Sequence, residues 1–116
     1  MDMDLEETEA AGAANAKALR VSLDDIRDNI LEQHFVTAGQ AIATASVAVP
    51  AEHPLNLVTL CILVMKNGFV VIGKSAPVSP RNFSSDLGKK FAYEDAVRQC
   101  WPLMGYALKE RLHHGG

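Results

Sequence analysis

The chain has 116 residues, enough for one domain and too few for two ordinary ones. With 48% hydrophobic and 22% charged residues, 8 Gly, 5 Pro and 2 Cys, it has the balance of a folded globular domain, which excludes collagen-like, wholly disordered and disulfide-framework chains. The net charge of −3 is unevenly spread: residues 1–53 hold 10 acidic and 3 basic side chains (net −7), and residues 54–116 hold 4 and 8 (net +4). An anionic ligand is drawn to the second half, although the two halves can equally satisfy one another. A nucleic-acid polymer, bound through many phosphate contacts, is not an expected partner of so acidic a chain.

Taken in order, residues 1–20 offer acids, Ala and Gly with little to bury, and read as an acidic, disordered arm or a helix formed only on a partner. A single domain is expected over 21–112, with residues 113–116 as a tail. Ser22 is a natural helix cap, Asp25 completes a weak capping box, and Asp24 and Asp25 suit a helix amino end. Ile26, Ile30 and Leu31 then form one apolar stripe, which predicts a short helix running to about His34. Residues 36–49 fit a helix by their alanines and a strand by their alternation; a strand from about Gln40 to Pro50 is the reading adopted.

Two runs of strand-forming residues follow, Leu57–Lys66 and Phe69–Lys74, separated by Asn67-Gly68. That dipeptide tolerates positive φ at both positions and so predicts a hairpin with a type I′ turn. Both strands are apolar nearly throughout, so both faces are expected to be covered, one of them by a second subunit. The Leu57–Met65 stretch is far short of the roughly 20 apolar residues of a membrane span, and the acidic amino end is unlike a signal peptide, so a cytoplasmic protein is expected. Beyond the loop SAPVSPRNFSS, Ser84 or Ser85 caps a helix whose candidate core residues are Leu87, Phe91, Val97 and Trp101. Pro102 favours a break at Trp101 and a separate last helix carrying Leu103, Tyr106, Ala107 and Leu112. The expected fold is α+β: a small antiparallel sheet with an N-terminal helix and C-terminal helices.

No G-x-S-x-G, P-loop, G-x-G-x-x-G, H-E-x-x-H or C-x-x-C occurs, so an enzyme is not expected, nor a cofactor or a metal site. Cys61 and Cys100 lie in apolar runs with no ligand-spaced neighbour and read as buried, reduced thiols. A binding role has more support. Arg81, Asn82 and Phe83 set a guanidinium, an amide and an aromatic ring side by side before a helix amino end, where phosphate can be held, a base edge read and a base stacked. The plainer alternative makes Arg81 solvated, Asn82 a turn residue and Phe83 a hydrophobic staple. Lys109 and Arg111 form a second cationic cluster but lie about 200° apart around a helix, so one chain cannot bring both to one ligand. Tyr93, Asp95 and Arg98 either line the concavity of the loop or solvate a helix.

The segment from Cys61 to Leu112 resembles a family of small proteins encoded by tailed phages and prophages. Carrying the resemblance are Lys66-Asn67-Gly68-Phe69, Ser79-Pro80, Asn82-Phe83, Gly88, Lys90, Trp101-Pro102-Leu103 and Gly105-Tyr106, in that order. The opening helix VSLDDIRDNI also looks similar, so the likeness covers residues 21–112. Through that family the chain resembles the Thoeris anti-defence sponges, which sequester cyclic ADP-ribose-type signals, and in some cases the cyclic oligonucleotides of CBASS defence, without cleaving them. This resemblance implies an anti-defence protein of an infected or lysogenic bacterium, acting as a homo-oligomer, either a dimer or a hexamer built from dimers. Phe83 would stack on the base beside Asn82, and Lys109, or alternatively Arg111, would meet phosphate. A rival expectation is an inhibitor that binds a host enzyme through the hairpin edge or the acidic arm.

Overall fold

A computed structural model describes residues 4–15 and 19–115. The architecture is α+β, with one three-stranded antiparallel sheet, whose strands β1 (Ile30–Thr37), β2 (Thr59–Met65) and β3 (Val70–Ser75) lie side by side in chain order, and a single long helix across one of its faces. The Cα extents are 54 × 31 × 16 Å, the thickness of one helix laid on one sheet.

Helix α1 (Leu5–Asn15) lies in the acidic segment that the sequence reads as an arm. Leu5 is buried in the main core, and two acids tie the helix down. Glu6 pairs with Arg27 at 2.6 Å, while Glu9 bonds both the Arg20 guanidinium and the Leu23 backbone N–H. One apolar anchor and two paired carboxylates thus dock a segment whose composition alone has little to bury.

Helix α2 (Leu23–Asp28) begins at Ser22 with the expected capping box: Ser22 Oγ accepts the Asp25 N–H, and the Asp25 carboxylate accepts the Ser22 N–H. It does not run to His34. The chain caps at Asn29 and turns into strand β1 (Ile30–Thr37), which pairs with β2. Only Leu23 and Ile26 of the helix are buried, and the Ile30–Leu31 continuation of the apolar stripe belongs to the strand. Leu31, 60% exposed, sits at the irregularity between Ile30 and Glu32. The strand expected from Gln40 is also absent. Thr37 caps a short helix α3 (Ala38–Ile42), and residues 43–50 follow without regular structure, because β1 already holds the place beside β2.

Strands β2 (Thr59–Met65) and β3 (Val70–Ser75) form the expected hairpin, with a different turn. Gly68 is at φ +87° and Asn67 is not at positive φ. The Met65 carbonyl accepts the Gly68 N–H, and the Met65 N–H donates to the Phe69 carbonyl, both at 2.8 Å. This is a three-residue loop closed by a glycine bulge, not a type I′ turn, so one left-handed residue suffices. Among the described residues of the single chain, one face of the hairpin is covered. Cys61, Leu63, Met65 and Val71 are buried under the helix, whereas Val70 and Ile72 on the other face are about half exposed.

Helix α4 (Ser85–His113) is continuous for 29 residues, through Pro102. The expected break fails because Pro102 lies on the exposed side of the helix, clear of the packed face, and because the flanking turns are anchored. On the buried side, Trp101 Nε1–H donates to the Val21 carbonyl at 3.0 Å. The core face is the expected one only in part: Val97 is buried and Trp101 packs against the core, whereas Leu87 and Phe91 are about half exposed and Gly88, Ala92, Ala96 and Cys100 are the residues that join Val97 under the sheet.

Two outcomes follow from this packing. A Cβ at Gly73 would overlap the Ala92 carbonyl oxygen and the Ala96 backbone nitrogen, so Gly73→Ala should destabilise the protein by on the order of 1–3 kcal/mol, read by urea denaturation. Glu9 is held below the ordinary glutamate value of 4.5, first by the Leu23 N–H and then by Arg20. Because the folded value is the lower one, this contribution is complete above 4.5 and is lost as pH falls through the folded value. The Leu23 amide resonance should therefore titrate with a midpoint below 4.5 in an NMR pH series; a midpoint at or above 4.5 contradicts the contact.

Candidate functional site

The loop between β3 and α4 is built by short-range bonds. Ser79 opens a 3-10 turn over Pro80–Asn82, its Oγ accepting the Arg81 N–H at 3.3 Å, and the Phe83 N–H donates to the Pro80 carbonyl at 3.2 Å. Ser84 then caps α4, its Oγ accepting the Leu87 N–H. These bonds hold Asn82 and Phe83 in the wall of a cavity of about 300 Å³, closed by Pro77, Leu87, Gly88 and Phe91. Phe83, Leu87 and Phe91 recur at four-residue intervals, a spacing that marks this wall in the sequence once Leu87 and Phe91 stand outside the core. Lys90 Nζ stands 5.4 Å from the Phe91 ring centroid and 3.1 Å from Glu94 Oε2. Lys89 lines a smaller recess on the other flank, with Thr37, Gln40 and Ser85. Arg81, Lys89 and Lys90 are all exposed at this end of the molecule.

The remaining expected site residues are not gathered here. From Ser85 to Lys109 is 24 residues, about 36 Å of helix, so neither Lys109 nor Arg111 approaches Phe83 within one chain. Arg111 instead lines a cavity of about 550 Å³ at the far end of α4, together with Arg20, Asp25, Asp28, Asn29 and Asn67, while Lys109 stands outside it. Beside that cavity lies an apolar pocket of about 230 Å³ walled by Met65, Phe69, Val71 and Met104.

Tyr93 is half-buried against the core, on the side of Arg27, whose guanidinium Glu6 first and then Tyr93 hold in its charged form. Asp95 Oδ2 accepts the Lys74 N–H at 2.9 Å, and beside it Gln99 Nε2 donates to the Ile72 carbonyl at 2.8 Å. These two side chains occupy backbone groups on the outer edge of β3. Tyr93 and Asp95 therefore serve packing and edge closure on opposite flanks of α4, and Arg98 lies exposed three residues further on. None of the three lines the Phe83 cavity.

Residues 21–112 match the model of the phage protein (N4 Gp49/phage Sf6 gene 66) family. The chain belongs to that family. No curated protein and no solved structure gives a significant match. Within this phage protein, no group of three His, Cys, Asp or Glu residues is arranged to hold a metal ion among the described residues. Nor is any described helix long and apolar enough to cross a membrane.

The two thiols are free and buried, and burial pushes Cys61 up to about 11 and Cys100 in the same direction. Neither is poised as a nucleophile at neutral pH. A disulfide-exchange reagent at pH 8 should leave both unmodified in the native protein and label two thiols after denaturation; labelling of either in the native state contradicts the packing.

Proposed function

We propose that this phage protein captures a small cyclic nucleotide signal of bacterial immunity, of the cyclic ADP-ribose or cyclic oligonucleotide type, and sequesters it without cleaving it. The observation that carries the reading is the Phe83 cavity: two aromatic rings and an amide in one recess, with Arg81, Lys89 and Lys90 around its end of the molecule. At about 300 Å³ it is at the small end of ligand pockets, suited to a base and not to a whole cyclic dinucleotide. In this reading the base enters between Phe83 and Phe91, Asn82 meets its edge, and the phosphates remain outside against the cations.

The rival reading, an inhibitor acting through the hairpin edge or the acidic arm, draws less support. Glu6 and Glu9 are spent on Arg27 and Arg20 of the same chain, and Asp95 and Gln99 occupy the outer edge of β3.

Calorimetric titration against cyclic ADP-ribose isomers, cyclic dinucleotides and cyclic trinucleotides tests the proposal. Tight binding is expected, with unaltered ligand recovered on denaturation. Base stacking on an aromatic side chain is worth about 1–3 kcal/mol, so Phe83→Ala should weaken binding by roughly tenfold or more while circular dichroism stays unchanged. An altered ligand after release overturns sequestration, and absence of binding across the panel overturns the ligand class.

A further inference from the structure

The two cavities at the Arg111 end of α4 form one composite space. Met104, Ala107, Leu108 and Arg111 stand at i, i+3, i+4 and i+7 spacing, which puts them on one face of the helix. The end of α2 supplies Asp25, Asp28 and Asn29 to the same walls, and the hairpin turn supplies Asn67. The apolar pocket of about 230 Å³ and the polar chamber of about 550 Å³ share Asn29, Asn67, Met104 and Ala107, so they adjoin along these four residues.

The apolar part is rooted in the core. Met65, Val71 and Cys100 are buried at its floor, while Phe69 and Leu103, about half exposed, form its rim. Asn29 Nδ2 donates to Met104 Sδ at 3.7 Å and so holds the thioether in the shared wall. A pocket of this size has room for far more than one water but offers it few polar partners, so an apolar group gains by taking its place. The flexible thioethers of Met65 and Met104 accommodate apolar groups of more than one shape.

Four charged side chains line the chamber, and two of them are already engaged. Arg20 is paired with Glu9, and the Asp25 carboxylate accepts the Ser22 N–H. Asp28 and Arg111 line the same chamber, yet among the described residues neither has an ion-pair partner. Opposite charges that line one cavity without meeting leave a place for a ligand that carries both. An ammonium group suits Asp28, and a carboxylate suits the guanidinium fork of Arg111. Asn67 Oδ1 accepts the Phe69 N–H at 2.9 Å, which leaves its amide nitrogen as a donor to that carboxylate.

We propose that this end of α4 binds a free α-amino acid with a large apolar side chain, of the leucine, methionine or phenylalanine class. The side chain enters the apolar pocket, and the ammonium and carboxylate groups span the chamber between Asp28 and Arg111. The inference does not rest on the Phe83 cavity, which lies at the other end of α4.

Nuclear magnetic resonance titration of the full chain with L-leucine, read at the side-chain amides of Asn29 and Asn67, tests it. Isopentylamine and 4-methylpentanoate carry the same apolar group with one charge each, and L-alanine carries both charges without it. L-Leucine should saturate with a dissociation constant of about 1 mM or lower and bind about tenfold or more tighter than each of the three. Asp28→Asn should abolish the preference for L-leucine over 4-methylpentanoate, and Arg111→Gln the preference over isopentylamine. Both positions are exposed, so circular dichroism should stay unchanged. Ala107→Trp, at an exposed position in the shared wall, should abolish binding, whereas Phe83→Ala should leave it intact. No shift of either amide at about 10 mM L-leucine, L-methionine or L-phenylalanine, well above a millimolar dissociation constant, overturns the site. A single-charge analogue that binds as tightly as L-leucine overturns the zwitterionic ligand. Binding of L-leucine that is indifferent to Ala107→Trp, or to both charge substitutions, overturns the assignment to these cavities.

Discussion

Everything in this fold depends on how closely α4 can lie on the sheet. Gly88, Ala92, Ala96 and Cys100 recur every four residues and make one stripe of small side chains along the helix, all of them buried. Gly73 of the sheet meets that stripe at the backbone of Ala92 and Ala96, and Gly88, at the start of the stripe, meets the sheet at Thr59. Bulk at these positions would lift the helix from the sheet and open the layer that holds Cys61, Leu63 and Val71. The close approach also brings Asp95 and Gln99, on the helix flank, within hydrogen-bond reach of the outer backbone of β3. An edge strand that would otherwise offer unpaired groups for intermolecular pairing is thereby occupied.

The same helix separates the functional candidates. It is about 43 Å long at 1.5 Å per residue, roughly twice the length of the seven-residue strand it crosses, so its ends stand apart at opposite poles of an elongated molecule. Continuity through Pro102 is what makes the separation rigid. A break at Trp101 could have folded the last helix back and brought Lys109 toward the Arg81–Phe83 loop. With the helix unbroken, a small ligand bound by one chain touches one pole only.

What was legible in the sequence was local. The Ser22 capping box, the hairpin at Asn67-Gly68 and the Ser84 cap each depend on side chains within a few residues of one another, and each is present. The misreadings arose where a distant partner decides. Ile26, Ile30 and Leu31 have helical spacing, yet Ile30 and its successors pair with β2. Residues 40–49 alternate like a strand, but the place beside β2 is taken. Leu87 and Phe91 look like core by hydrophobicity, whereas the close layer needs Gly88 and Ala92, which carry almost no hydrophobic signal. The candidate site divided along the same line. Asn82 and Phe83 are neighbours in sequence and share one cavity, while Tyr93, Asp95, Lys109 and Arg111 were grouped by chemistry and are dispersed by the helix.

Cavity size by itself would select the wrong pole for an anionic ligand. The larger cavity, at the Arg111 end, holds Arg20 and Arg111 against Asp25 and Asp28, and Arg20 is already neutralised by Glu9. Docking α1 consumes both described arginines of the acidic first half, since Arg27 is taken by Glu6. The aspartates of α2 are therefore left to set the sign at that pole. At the Phe83 end, Arg81, Lys89 and Lys90 meet Asp86 and Glu94, of which only Glu94 is buried and tied to a lysine. The field there remains positive, over a smaller recess with aromatic walls. Charge and ring chemistry agree at the amino end of α4, and volume alone favours the other.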